Sequence, residues 1–528
     1  MAIVGAGPGG LAAAVILAAS GLRVTVFERR ETVGGRTSRV ETTGDNGAAY
    51  RFDRGATFFL MPYVLDEVFA AAGERVSDHV ELKRLDPMYR LIIGREGREA
   101  LTINATQDIA EMSRRIGAIN ERDGAAFERF IANQRTKLRL SEPILRNPMR
   151  SLLDLANLDS LKVAPMLKPH KTVHQLLGEY FSDEHVKLAV SFQSKYLGMS
   201  PFECPSLFTI LPLIEYEYGV WHPIGGCHAL CEAMATVAER SGAEVRLNAP
   251  VAGVTFDGRR AKGVVVDGEE QLFDAVVVNA DATWALKNLV PAELRADRAG
   301  KGYADAALDA KRYSCSTYML YLGVEGAVDL PHHTIHTSPS YAENLRDITE
   351  RARLSDDPSI YVCNPSVTDP TLAPEGHSSV YVLVPTPNTR EGAGGGSVDW
   401  DAEAPGLRER AYGQLERVFG LWDIRERVRA EVQITPADWR AMGINHGATF
   451  NLAHNLRQML HWRPQNRLKG FDGLYLVGGG THPGSGLPTI FLSSQISSRL
   501  LCEDLGCVVA LDRVGGREAM ANQTAASV

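Results

Sequence analysis

The chain opens on an apolar triplet, Ala2-Ile-Val4, passes through six residues rich in glycine, and continues into Leu11 to Ala19, a run without a polar side chain. A short apolar run closed by glycine predicts a buried strand, and the longer run after the turn predicts a buried helix. A second strand is predicted over Leu22 to Phe27. The same order returns between Trp221 and Asp281: a glycine turn at Gly225-Gly226, a helix over His228 to Arg240, and strands over Glu244 to Leu247, Val251 to Phe256, Gly263 to Val266 and Ala275 to Val278. It returns again at Leu474 to Val477, followed by a glycine turn and a helix over Ile490 to Leu501. Strands that alternate with helices in this way predict an α/β fold with a parallel sheet. Residues 1–60, 221–285 and 440–505 are therefore expected to form one discontinuous, Rossmann-like nucleotide domain. Residues 61–220 and 286–439 are expected to form a mixed α+β substrate region with a helical, membrane-contacting part. Thr386 to Glu403, with Gly392-Ala-Gly-Gly-Gly-Ser397, reads as a flexible surface loop, and residues 507–528 read as a disordered tail.

A length of 528 residues exceeds one compact core, so more than one domain is expected. The net charge of −8 argues against a nucleic-acid binder. Seven cysteines lie scattered without metal-ligand spacing, which predicts free thiols, a reducing compartment and no metal centre. Cys227 and Cys231, one helical turn apart, read as core residues. No 18-residue apolar stretch predicts a spanning helix. Charge is uneven, however. Lys137 to Lys171 carries seven basic residues (Lys137, Arg139, Arg146, Arg150, Lys162, Lys168, Lys171) against three acidic ones, interleaved with leucines that include Leu152, Leu153, Leu158 and Leu161. A basic, leucine-rich stretch suits a membrane interface, and an amphipathic surface packed on a core fits the pattern as well.

The glycine segment carries the first chemistry. Gly5, Gly7 and Gly10 supply G-x-G-x-x-G between a strand and a helix: one glycine for the tight turn, one for close approach of a pyrophosphate, one for helix packing. The helix N-terminus then faces the anion. Glu28, at the end of the second strand, is placed to accept from ribose hydroxyls and to repel a 2′-phosphate. Arg36, after Gly34-Gly35, can neutralise phosphate with its fork of donors. This is a single fingerprint, so no nicotinamide site is expected beside it.

Beyond these residues the chain resembles the bacterial and fungal-type phytoene desaturases, which belong to the flavin amine-oxidase-like superfamily. The resemblance rests on Phe52-Asp53-Arg-Gly55-Ala-Thr57, Tyr361-Val-Cys-Asn-Pro-Ser366, Asp369-Pro-Thr-Leu-Ala-Pro374, Trp462-Arg-Pro-Gln-Asn466 and Leu474-Tyr-Leu-Val-Gly478-Gly-Gly-Thr-His-Pro-Gly484-Ser-Gly-Leu-Pro488. It departs from the family pattern at Ala56, at Gln465 and at Thr489-Ile-Phe.

The resemblance implies FAD as cofactor. Its N-terminal contacts would come from Gly5, Gly7, Gly9, Gly10, Glu28 and Arg29, followed by Gly35, Arg36, Thr37, Gly55, Ala56 and Thr57. Val251 would meet the adenine, and Gly479, Gly480, Thr481, Gly486, Leu487 and Pro488 the flavin end. The helix starting at Pro488 would aim its N-terminus at the flavin pyrimidine edge. The implied reaction removes a hydride and a proton from a long apolar isoprenoid, a carotene precursor of thirty or forty carbons, to extend a polyene. Oxygen or a quinone would be the final electron acceptor, and the protein would sit peripherally on the inner, cytoplasmic face of the membrane. Lys171 with His170, and Glu215 or Glu217, are the candidates to hold or deprotonate substrate, with His482 read as a turn residue near the flavin. A carotenoid isomerase, saturase, terminal oxidase or amine oxidase using the same flavin, and a flavin-free lipid escort of the same fold, remain the alternatives.

Overall fold

The computed structural model describes residues 1–45, 47–155, 158–393 and 395–513, without the side chains of 152 and 158–161. Five three-residue strands form a parallel sheet in the order Leu474–Leu476, Val276–Val278, Ala2–Val4, Thr25–Phe27, Glu244–Arg246. Ile3 stands in register with Val277 on one side and Val26 on the other. Helix Pro8–Ala19 is buried along nearly its whole length. It lies under Cys227–Arg240 and Leu487–Leu505, and its alanine-rich surface lets both approach closely. The predicted second strand shortens to Thr25–Phe27. Val251–Asp257, Arg260–Val266 and Glu269–Leu272 form a separate three-stranded antiparallel sheet with Arg260–Val266 in the middle.

A second sheet has seven strands in the order Val428–Ile434, Ser316–Glu325, His377–Thr386, Ile360–Cys363, His333–Thr337, Tyr89–Arg95, Arg98–Ala105. Only the pair His333–Thr337 and Tyr89–Arg95 is parallel. Residues from both expected substrate segments thus share one sheet. Side-chain alternation along its two longest strands divides two environments. Tyr318, Leu320, Leu322, Val380, Val382 and Val384 pack against helix Trp400–Arg417 through Trp400, Leu407, Ala411 and Leu415. Their neighbours Thr317, Met319, Tyr381 and Leu383 face the other way, into a cavity.

Helix Trp400–Arg417, capped by Asp399, occupies the end of the expected flexible loop, and Gly392 N–H donates to Gly396 O within it. The expected tail is corrected over residues 507–513. Ala510 and Leu511 are buried there, and Ala510 N–H donates to Ser20 Oγ at 2.8 Å, fastening this segment to the end of the first helix. Residues 514–528 lie outside the described residues.

Four of the seven basic side chains of the Lys137 to Lys171 stretch are engaged within the protein itself. Lys137 is buried at the Thr209 hydroxyl (2.9 Å), and burial pushes its ammonium down to about 8. Arg146 forks onto Glu67 at 2.9 Å and also pairs with Glu142. Lys168 and Lys171 share Glu179. Arg139, Arg150 and Lys162 are exposed, as is Leu153 at 82%, while the side chains of Leu152, Leu158 and Leu161 lie outside the described residues. Among the described residues no helix is long and apolar enough to cross a membrane.

One carboxylate joins the N-terminal segment to helix Cys227–Arg240. Asp53, at the end of strand Ala49–Asp53, accepts from Cys227 N–H (2.9 Å) and His228 N–H (3.1 Å), filling the first turn of a helix whose N-cap is Gly226. Gly226 has φ +82°, and a Cβ there would stand 2.7 Å from Asp53 Oδ1. Asp53→Ala leaves both donors buried and unpaired. It is expected to cost about 1–3 kcal/mol, seen as a lower Tm in thermal unfolding; an unchanged Tm would remove this link from the fold.

Candidate functional site

A cavity of about 670 Å³ runs from the first glycine turn to the seven-stranded sheet. Gly5 has φ +98°, where a Cβ would stand 2.3 Å from Asn279 O, so the turn is restricted to glycine. Helix Pro8–Ala19 starts from N-cap Gly7 without a side-chain cap, which leaves its first N–H groups for a ligand. Helix Leu487–Leu505 starts the same way, from N-cap Gly486 with Pro488 in its first turn. Both ends open on this one cavity, and each presents partial positive charge.

The polar side chains around these ends are fixed from behind. Glu28 is buried, and its carboxylate accepts from Ala6 N–H (2.8 Å) and Arg30 N–H (3.1 Å). Arg36 donates to Thr449 O at 2.6 Å. The Asn451 amide, oriented to satisfy its neighbours, accepts from both Arg36 terminal nitrogens at 3.0 Å and donates to Asp281 Oδ2 at 2.6 Å. Asn279 donates to Gly5 O at 3.0 Å, and its own N–H donates to Val4 O. Two uncapped helix ends, a fixed carboxylate and a fixed guanidinium on one cavity suit an anionic dinucleotide, which is the test the implied flavin has to pass.

Of the residues expected at the cofactor, Gly5, Gly7, Gly9, Glu28, Arg29, Gly35, Arg36 and Thr37 line the cavity. So do Gly55, Ala56, Thr57, Val251, Gly479, Gly486, Leu487 and Pro488. Three others serve packing instead. Gly10 lies against the turn itself, where a Cβ would meet Gly5 O at 2.2 Å, and Gly480 abuts Ala282. Thr481 is fully buried, and its carbonyl accepts from Arg463 Nε at 3.2 Å.

Lys171 and His170 are not in the cavity wall. The Lys171 ammonium pairs with Glu179 at 2.5 Å and His170 is exposed, so the pair is corrected to a surface feature. Glu217 takes an ion pair with Arg135. Glu215 is fully buried behind the wall and accepts from Tyr89 OH (2.9 Å), Gln193 Nε2 (2.9 Å) and Tyr196 OH (2.7 Å). Burial pushes its carboxyl up to about 7. His482 is held by the carbonyls of Asn147 and Ile144, and burial pushes its imidazole down to about 4.

The far wall escaped the sequence reading. Phe58, Tyr196, Tyr361, Tyr381, Trp439 and Phe450 supply aromatic surface, and Lys195 a single ammonium. Burial raises the phenols of Tyr196, Tyr361 and Tyr381 well above their ordinary range, so they face the cavity uncharged. Thr57 Oγ1 and Tyr361 OH are 2.8 Å apart, and Tyr381 OH donates to Gly55 O at 2.8 Å, locking these rings onto the N-terminal segment. The available signal was period two: Thr317 and Met319 alternate with core residues, as do Tyr381 and Leu383.

The family described as flavin containing amine oxidoreductase matches residues 8–502. A 4,4′-diapophytoene desaturase (4,4′-diapolycopene-forming) of Methylomonas sp is 41% identical over 505 residues, covering 95% of this chain and 94% of that one. An all-trans-zeta-carotene desaturase of Myxococcus xanthus is 40% identical, covering 96% and 93%. A phytoene desaturase (lycopene-forming) of Pantoea ananas is 34% identical, covering 95% and 99%. Among solved structures, an oxidoreductase of Methanosarcina mazei is similar in fold with a TM-score of 0.61 at 17% identity, covering 93% of this chain and 98% of that one. A cyclohexylamine oxidase of Brevibacterium oxydans gives a TM-score of 0.56 at 17% identity, covering 96% and 99%.

Gly7→Val puts a branched side chain where the first helix N–H groups open on the cavity, with its Cβ 3.1 Å from Asn279 Nδ2. The purified variant is expected to lose its yellow flavin absorption while its circular dichroism stays that of the folded protein. Normal flavin content would move the phosphate site elsewhere.

Proposed function

Because the chain belongs to the flavin-containing amine oxidoreductase family and, within it, to the bacterial and fungal-type carotenoid desaturases, we propose that its cavity takes a long apolar isoprenoid and that the protein desaturates it with bound FAD. The observation that carries this reading is one continuous cavity with a nucleotide-type cradle at one end and uncharged aromatic rings at the other.

FAD, when bound, supplies a two-electron acceptor for hydride. The rest falls to the chain's own residues. The glycine turn and Arg36 bind the phosphates, Glu28 takes the ribose, and the N-terminus of Leu487–Leu505 stabilises negative charge brought to it. The Thr57–Tyr361 hydrogen bond and the one from Tyr381 OH to Gly55 O hold the wall in one position. The aromatic faces exclude water from a substrate that becomes cation-like as hydride leaves, and they attract that positive charge through their π-systems. An extended polyene spreads the charge, so no strong acid is needed.

Oxygen or a quinone as terminal acceptor fits the single dinucleotide fingerprint. The purified protein, given phytoene or its thirty-carbon analogue in detergent, is expected to yield products whose absorption moves to longer wavelength without added nicotinamide. No product from either hydrocarbon, or an obligate need for NAD under anaerobic conditions, would overturn this.

Peripheral membrane contact is part of the same reading, supported by exposed Arg150, Leu153 and Lys162. Each basic residue near an anionic surface contributes on the order of 1 kcal/mol, screened by salt. The double substitution Arg150→Gln, Lys162→Gln is therefore expected to weaken flotation with anionic vesicles at low salt and to leave turnover of detergent-dispersed substrate unchanged. Equal flotation of variant and wild type would place the contact elsewhere.

A further inference from the structure

Desaturation removes a proton as well as a hydride, and the site residues above account for no proton acceptor. Lys195 lies on the short helix Phe192–Leu197 and is the single lysine among the described residues lining the cavity. It has no carboxylate partner there: its charged end lies 5.8 Å from the Tyr341 ring centre, and the other titratable group facing it is the Cys315 thiol. Burial raises both the Tyr341 phenol and the Cys315 thiol, so neither balances the ammonium.

Its position is fixed by packing. Gly198, which closes the same short helix with φ +64°, sits so close to Phe450 that a Cβ would stand 2.5 Å from the ring. Cys315 N–H donates to Gly198 O at 3.1 Å. Phe450 O in turn accepts from Ser485 Oγ at 2.6 Å, and Ser485 belongs to the glycine turn that feeds helix Leu487–Leu505. The segment that carries Lys195 is thereby tied, through Gly198 and Phe450, to the turn that feeds helix Leu487–Leu505, and Lys195 lines the same cavity as that helix start.

We propose that Lys195 is the general base of the reaction, its Nζ lone pair taking the proton from the substrate carbon next to the one that gives up hydride. This rests on the desaturase reading. The C–H bond to that carbon breaks, its electron pair becomes the new carbon–carbon double bond, and the proton bonds to Nζ. The two electrons leave with the hydride to the flavin, so charge and atoms balance, and the ammonium returns its proton to solvent after product departs. Burial without a counter-charge pushes the Lys195 ammonium down to about 8, which makes the neutral amine available in mildly alkaline solution. The sign follows: turnover rises as pH climbs through about 8, because the amine is the active form.

The test compares wild type with Lys195→Met and Lys195→Arg in single turnovers on phytoene across pH, with FAD content measured for each. Both variants are expected to bind FAD normally, to lose roughly 100-fold in rate and to lose the limb near pH 8. Arginine keeps the bulk and the charge but cannot take up a proton. In parallel, the full-length protein is dimethylated with carbon-13 formaldehyde, and the Lys195 resonance, assigned by its absence in Lys195→Arg, is titrated by NMR. A midpoint near 8 supports the proposal, and one in the ordinary lysine range overturns it. Wild-type rate and an unchanged pH limb in either variant overturn it as well, with the desaturase reading intact. Should FAD-loaded wild type convert no hydrocarbon, the desaturase reading fails, and the proposed role of Lys195 falls with it. Should Lys195→Met fail to retain FAD, Lys195→Arg and the titration decide.

Discussion

Asn279 is where the three distant parts of the nucleotide-binding layer meet, and the cavity depends on it. Its backbone continues strand Val276–Val278, its N–H donates to Val4 O, and its amide donates to Gly5 O. A Cβ on Gly9 or Gly10 would stand 2.8 Å from that amide, and one on Gly478 would stand 3.4 Å away. One side chain thus sets the spacing between the first glycine turn, its helix and the last glycine turn. Any larger neighbour would push the two helix N-termini out of their common cavity.

The opposite wall is governed by a different requirement, which is to be polar enough to be rigid and neutral enough to suit a hydrocarbon. Tyrosine meets it. The rings of Tyr361 and Tyr381 turn apolar surface inward while their hydroxyls bond to Thr57 and Gly55 on the N-terminal segment. The sheet and the nucleotide layer are therefore joined through the backs of the residues that face the substrate. Glu215, behind Tyr196, anchors the same wall one step deeper.

The nucleotide half was legible in the sequence because its constraints are local. A glycine at positive φ, an uncapped helix start and an acid ending the neighbouring strand leave marks at fixed spacing, as at Gly5 and Glu28. The substrate half leaves only the period-two alternation at Thr317 and Met319 and at Tyr381 and Leu383. Lys195 shares the cavity wall with Phe450, more than two hundred residues later in the chain, which neighbouring Gly198 abuts. Conversely, Lys171 beside His170 is neutralised by Glu179, eight residues on. Within the basic stretch, likewise, the partner of Arg146 at Glu67 belongs to a distant helix. Charge patterns along a chain do not reveal which charges are already spent inside the fold.

The order of strands in the parallel sheet also bears on how the protein is made. Ala2–Val4, near the start of the chain, stands at the centre of the sheet, while the edge strand Leu474–Leu476 and the covering helix Leu487–Leu505 come almost last. During synthesis the apolar helix Pro8–Ala19, which Cys227–Arg240 covers only in part, must therefore wait for its second cover until nearly the whole chain has left the ribosome. A chain stopped short of its final helix exposes that surface to its neighbours, so chaperone demand and aggregation of incomplete chains follow directly from the topology.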